Sequence, residues 1–226
     1  MNTRYLVICE GVSECNYLQH LQRFVRELPL PVGTCSQLNF IGLPKSRDPQ
    51  TLQRKGVGTG EYGKVVRAYK AERKRNRSAQ FLIWVDDDLY VRNDKGCGVN
   101  YERKPQGIPD FSFSVHNFED FVALHLPAEL FERWRVEMSR AGHFENPLHG
   151  EDYGAVFEKI LPKYQKGELP DGFVSVESLS NMIRHIGMLP EMSQGCLTRR
   201  QMFANDLAAI LKEAYPDVFG SRTSRN

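Results

Sequence analysis

The stretch "FLIWVDDDLY", residues 81–90, decides the fold. Phe81–Val85 run without a break into Asp86, Asp87 and Asp88. An apolar run this short, bounded by a polar turn, predicts a strand buried on both faces, the habit of a parallel sheet. Three adjacent carboxylates repel one another, so the strand's exit needs positive charge close by, from a basic side chain or a metal ion.

The elements on either side agree with that reading. "YLVIC" (5–9) is a second short apolar run, ended by Glu10-Gly11. Tyr17, Leu18, Leu21, Phe24, Val25 and Leu28 then recur at three- and four-residue spacing, which predicts an amphipathic helix stopped by "PLP". "LNFIG" (38–42) predicts another strand. After a polar, glycine-bearing loop, Val65, Val66 and Tyr69 mark a helix with the basic tail "KAERKRNR"; "FSFSV" (111–115) and the helical "NFEDFVALHL" follow the acidic run. The order β-α-β-α-β-loop-β-α predicts an α/β fold with a mainly parallel four-stranded sheet flanked by helices. Beyond about residue 127 only helical periodicity is found, through Leu130, Phe131 and Trp134 to Phe203, Leu207, Ile210 and Leu211. The expected organisation is an α/β core over 1–126, a helical extension packed on it over 127–220, and a disordered tail over 221–226.

Composition narrows the function classes. A 226-residue chain of 41% hydrophobic and 26% charged residues has enough apolar side chains for a core. Net charge is +2, so any nucleic-acid binding must come from local patches rather than bulk charge. Five cysteines without a C-x-x-C pair argue for reduced thiols and against zinc. With no secretory h-region and no apolar run near the ~20 residues of a membrane span, the expected location is the cytoplasm.

Chemistry concentrates at two strand ends. Glu10 closes the first strand and Asp86–Asp88 the third, and in an open parallel sheet those ends share one rim. Alternation along an extended chain sends Asp86 and Asp88 to one side and Asp87 to the other. Glu14, one helical turn past Glu10, can reach back over the rim. Clustered carboxylate oxygens suit Mg2+ or Mn2+. The bland alternative is a solvated turn after a strand, and the residues alone leave both open.

The same residues carry a resemblance. Glu10-Gly11 after a first strand and Asp86-Asp87-Asp88 after a third resemble the TOPRIM domain. A closer similarity is to the RloB-like family, TOPRIM proteins of bacterial restriction and phage-defence loci. "ICEGVSECNYLQHL" (8–21) resembles its opening block, "NFEDFVALHL" (117–126) its third, with Phe118, Glu119, Leu124 and His125 in register, and "LPKYQKG" (161–167) a later one. Phe121 and Ala123 stand where the family has Trp and Leu, and the similarity stops by about residue 190. The resemblance implies metal-dependent phosphodiester cleavage, with Glu10 and Glu14 catalytic and Glu10, Asp86, Asp88 and Glu119 holding Mg2+ or Mn2+. It also implies a nucleic-acid substrate and an ATPase partner. The chain has neither a zinc motif, as primases carry, nor room for a topoisomerase's tyrosine domain, which leaves hydrolysis as the reaction. A non-catalytic adaptor that binds a partner protein or a nucleotide signal is the alternative.

Glu119 by itself also reads as a carboxylate offsetting a helix dipole, and His125, among Phe118, Phe121 and Val122, as a satisfied core histidine. "GVGTGEYGKV" (56–65) approaches a P-loop but has Val65 where Ser or Thr is required. Lys45, Arg47, Arg54, Lys55 and Lys64 are the expected phosphate contacts, together with the run Arg73, Lys74, Arg75 and Arg77.

Overall fold

The computed structural model describes residues 3–33, 36–44, 56–57, 62–86, 108, 110–145, 147–148, 150–161, 168–189 and 201–220. Its centre is a parallel sheet of β1 (Arg4–Cys9), β2 (Asn39–Leu43), β3 (Gln80–Val85) and β4 (Phe111–Phe113), extended by the two-residue β5 (Gln201–Met202). The strand order is β2-β1-β3-β4-β5, and every pair is parallel. The chain steps outward from β1 to β2, then returns across β1 to β3 and continues the other way. Because crossovers are right-handed, that reversal puts α1 (Val12–Glu27) and α2 (Tyr62–Arg75) on opposite faces.

Strand alternation fills both faces. Tyr5, Val7, Cys9 and Trp84 point to the α1 side, while Leu6, Ile8, Phe81, Ile83, Val85, Phe111 and Phe113 point to the α2 side. Cys9 and Cys15 are buried free thiols. At the sheet edge, the Gln22 amide of α1 donates to the Leu38 carbonyl and accepts from the Phe40 N–H, standing in for a neighbouring strand.

The remaining helices are α3 (Phe118–Ala123), α4 (Ala128–Arg140), α5 (Gly150–Ile160), α6 (Val176–His185, continued by a 3-10 turn at Ile186–Met188), α7 (Phe203–Ala214) and α8 (Pro216–Phe219). They form no separate body. The fully buried Trp84 ring stacks on Phe203 of α7 at 3.9 Å and meets Phe121 of α3 and Tyr17 of α1 edge-on. One hydrophobic cluster thus runs from Tyr5 to Phe219. The expectation of a purely helical segment after residue 126 is corrected here: Gln201–Met202 pairs with Ser112–Phe113 and adds a fifth strand to the sheet. The expected fourth strand also ends sooner, at Phe113 rather than residue 115. The expected tail, 221–226, lies outside the described residues. Among the described residues no helix is long and apolar enough to cross a membrane.

A buried polar hub fixes α3. Asn117 caps the helix by accepting from the Asp120 N–H, and Asp120 Oδ2 accepts from the N–H groups of His116 and Asn117. The same carboxylate accepts from His143 Nε2 at 3.0 Å and from the Tyr153 hydroxyl at 2.8 Å, and the Tyr153 oxygen accepts from Trp134 Nε1. Leu148 N–H donates to His143 Nδ1, which leaves the ring proton on Nε2, facing Asp120. Burial alone would push Asp120's pKa up. His143, His116 and the Tyr153 hydroxyl outweigh it and hold the carboxyl below its usual value. Asp120→Asn exchanges an acceptor for a donor among four donors. It should cost roughly 3 kcal/mol in urea unfolding, against roughly 2 for Tyr153→Phe, which takes one donor from Asp120 and leaves Trp134 Nε1 without its acceptor.

Candidate active site

The order β2-β1-β3 makes the ends of β1 and β3 the switch point of the sheet, where a doubly wound fold opens its crevice. Glu10 and Asp86 are the first residues past those two strands. The register Cys9↔Trp84 brings them side by side: Glu10 N–H donates to the Trp84 carbonyl at 3.1 Å, and Asp86 N–H donates to Glu10 Oε2 at 3.0 Å. Two acidic residues 76 positions apart are thus joined through backbone pairing.

Glu10 is 6% exposed, Glu14 3% and Glu119 7%. Glu14 lies in the first turn of α1, where its Oε2 accepts from the Gly11 N–H at 3.0 Å and closes the helix end. A side chain at Gly11 would come within 2.9 Å of that oxygen, so glycine leaves the carboxylate its place. Burial is the main force raising the Glu14 pKa to about 8. Its own N–H and that of Gly11 pull the other way, while the carboxylates of Glu10 and Glu119 add to the rise. Three glutamates from β1's exit, α1 and α3 therefore share one buried, electrostatically coupled cluster at the rim. The α3 hub orients the third, since Glu119 is held between the cap residue Asn117 and the anchored Asp120.

Gly56, the first residue of the near-P-loop stretch, packs against the rim. Val57 N–H donates to the Cys9 carbonyl at 2.9 Å, and a Cβ on Gly56 would stand 2.0 Å from the Glu10 carbonyl oxygen. The close approach requires glycine and lays Gly56 and Val57 over the end of β1. The only hint in the sequence was the density of glycines. Asp206 was missed. It is a buried acid of α7 that accepts from the Ser112 hydroxyl of β4, with its pKa raised to about 6 by burial.

Of the other expected site residues, Lys64 is described, exposed near the start of α2. Asp87, Asp88, Lys45, Arg47, Arg54, Lys55 and most of the block at 161–167 lie outside the described residues. His125 belongs to the core: Nδ1 donates to the Phe121 carbonyl, Nε2 accepts from the Tyr17 hydroxyl, and burial lowers its pKa to about 4. It also lines a largely apolar cavity of about 270 Å³ with Leu130 of α4, Phe173 and Asn181 of α6, but both its nitrogens are already engaged.

The donor chemistry of the rim, buried carboxylate oxygen, fits a hard divalent cation, which would offset both the burial that chiefly raises the Glu14 pKa and the smaller repulsion from Glu10 and Glu119. Among the described residues, no three His, Cys, Asp or Glu side chains are arranged to hold a metal as they stand. Comparison of the chain with protein-family models, curated proteins and solved structures returned no match. The strand order is common to many α/β proteins, so function has to be argued from the rim itself.

Proposed function

We propose that this chain is a divalent-metal-dependent nuclease of the TOPRIM kind that hydrolyses phosphodiesters of DNA or RNA. The observation that carries the reading is the coupled cluster of Glu10, Glu14 and Glu119 beside Asp86, drawn from separate elements to the switch point of the sheet. Glu10, Asp86, Asp88 and Glu119 are the residues that would hold Mg2+ or Mn2+. When bound, the cation lowers the pKa of a water and offsets charge on the leaving oxygen. Glu10 would take the water's proton as that water attacks phosphorus. Glu14 would complete the acidic shell beside it, and the proton that Glu10 takes would return through solvent to the oxygen released when the P–O bond breaks. The RloB-like resemblance adds a cytoplasmic setting in phage defence and an ATPase partner.

One observation favours the adaptor reading instead. The Glu14 carboxylate already caps α1, and the described carboxylates do not close a metal site as they stand. Calorimetric titration of Mn2+ into the wild type and into Asp86→Ala/Asp88→Ala, followed by incubation of both with mixed DNA and RNA, separates the two. Saturable Mn2+ binding and cleavage, lost together in the variant, are expected. A wild type that binds no Mn2+ leaves the adaptor.

A further inference from the structure

The second charged feature of the molecule is α2 with the turn that follows it. Residues 62–77 contain seven Lys or Arg and one Glu, a net charge of +6 in a chain of net +2, so the rest carries −4. Apart from Lys64 at the start of the helix, the structure sorts these cations into two sets. Arg73 is engaged by the Tyr69 hydroxyl and by Asp110 at 3.1 Å, and Arg75 pairs with Glu72 at 3.0 Å. Arg67, Lys70, Lys74 and Arg77 are exposed, and none of them forms an ion pair among the described residues.

The second set is ordered. Arg67, Lys70 and Lys74 are spaced i, i+3, i+7, which at 3.6 residues per turn confines them to an arc of about 60°. That arc is opposite Val65 and Tyr69, the buried side of the helix. Arg77 continues the line just past the helix end. Four like charges in a row destabilise an isolated helix surface, so the row is costly unless something anionic lies along it. From Arg67 to Arg77 the row is about 15 Å long, at 1.5 Å per residue. One strand of a duplex presents a phosphate about every 3.4 Å of axis, so the row faces about four phosphates. A regularly charged polyanion has the spacing to lie along such a row.

We infer that the outer face of α2 is a docking track for a phosphodiester backbone, contacted independently of base sequence through Arg67, Lys70, Lys74 and Arg77. The inference rests on the nucleic-acid reading of the rim and adds where the substrate lies. α2 ends close in sequence before the start of β3, at the end of the sheet opposite Glu10, so its Arg77 end is farthest from the rim and its Lys64 end nearest. The backbone runs along the helix toward the carboxylates, and the phosphates on the track are not the one that is cut.

The test is equilibrium binding in EDTA, where cleavage is silent. The probes are a labelled DNA duplex of about 20 base pairs and its single strands as DNA and RNA, measured by anisotropy across a KCl series. The Arg67→Gln/Lys70→Gln/Lys74→Gln/Arg77→Gln protein is compared with wild type and with Arg133→Gln/Lys159→Gln/Arg184→Gln/Lys212→Gln, which removes four exposed cations elsewhere. On the duplex, the α2 variant should bind at least about tenfold more weakly, with a log–log salt slope shallower by about three to four, and the control should match wild type. Equal loss in both variants, unchanged slope in the α2 variant, or a wild type that binds only phosphatidylserine vesicles overturns the track. Because metal is absent, the nuclease reading stands or falls separately: a wild type that binds through α2 yet never cleaves with Mn2+ sinks the chemistry and keeps the track.

Discussion

The Glu10→Gln protein should bind nucleic acid as wild type does and cleave it at least about a thousandfold more slowly in Mn2+, a loss of about 4 kcal/mol in the barrier term. Glutamine is the informative replacement because of what Glu10 does structurally. Its Oε2 accepts the Asp86 N–H, and its backbone pairs with Trp84. A glutamine carbonyl oxygen can accept the same N–H, so the exit of β3 keeps its partner and the fold is spared. The negative charge is what disappears, and with it both the attraction for a divalent cation and the capacity to accept a proton from water. Asp86→Ala is a coarser change, because it removes the side chain's volume and hydrogen-bonding oxygens together with its charge at the exit of β3. Retained cleavage by Glu10→Gln would remove Glu10 from the chemistry and, with it, the reason for reading the rim as an active site.

That prediction could be framed from sequence because the features behind it are local. Phe81–Val85 and Tyr5–Cys9 are apolar runs too short for helices, and each ends at an acidic residue. Parallel strands then require both ends to share a rim. What brings Glu10 against Asp86 is strand order, and order is set by crossovers over the sheet that leave no local trace. β5 was invisible for a related reason: two residues, Gln201–Met202, are strand only because the edge of β4 is there to receive them. Gly56 shows the same limit at atomic scale, since its need for a missing Cβ comes from the Glu10 carbonyl, 46 positions earlier. "NFEDFVALHL" was read correctly as helix, yet nothing in its spacing set Asp120 apart from Glu119. One ties α3 to His143 and Tyr153, and the other enters the carboxylate cluster.

Between pH 6.5 and 8, in EDTA, the folded protein should lose about 2 kcal/mol of stability, and Glu14→Gln should abolish most of that slope. Glu14 titrates at about 8 when folded and at 4.5 ordinarily, because burial first, and then Glu10 and Glu119, disfavour its charge. Between those values the folded state holds a proton the unfolded state has released. The contribution of Glu14 is therefore complete below pH 4.5 and is lost as pH rises to 8, up to about 5 kcal/mol over the whole interval at about 1.4 per unit. Three other buried groups act chiefly on the acid side, and one of them, His185, has its pKa lowered by burial and so acts like His125. Asp206, at about 6, acts with the same sign but is exhausted by pH 6. His125, held near 4 against an ordinary 6.5, acts with the opposite sign and only below 6.5. Above pH 6.5 the slope belongs to Glu14, and urea unfolding at half-unit steps reads it. Glutamine keeps a carbonyl oxygen for the Gly11 N–H, so the helix cap survives while the titration is removed. Mn2+ then distinguishes an acid held protonated for its own sake from one waiting for a cation. A metal that needs the carboxylate form displaces the proton, so its stabilisation should be set by the rim's ionisation and should release a proton into buffer near pH 7. A slope that persists unchanged in Glu14→Gln would place the buried proton elsewhere and dissolve the coupled cluster on which the rim's chemistry depends.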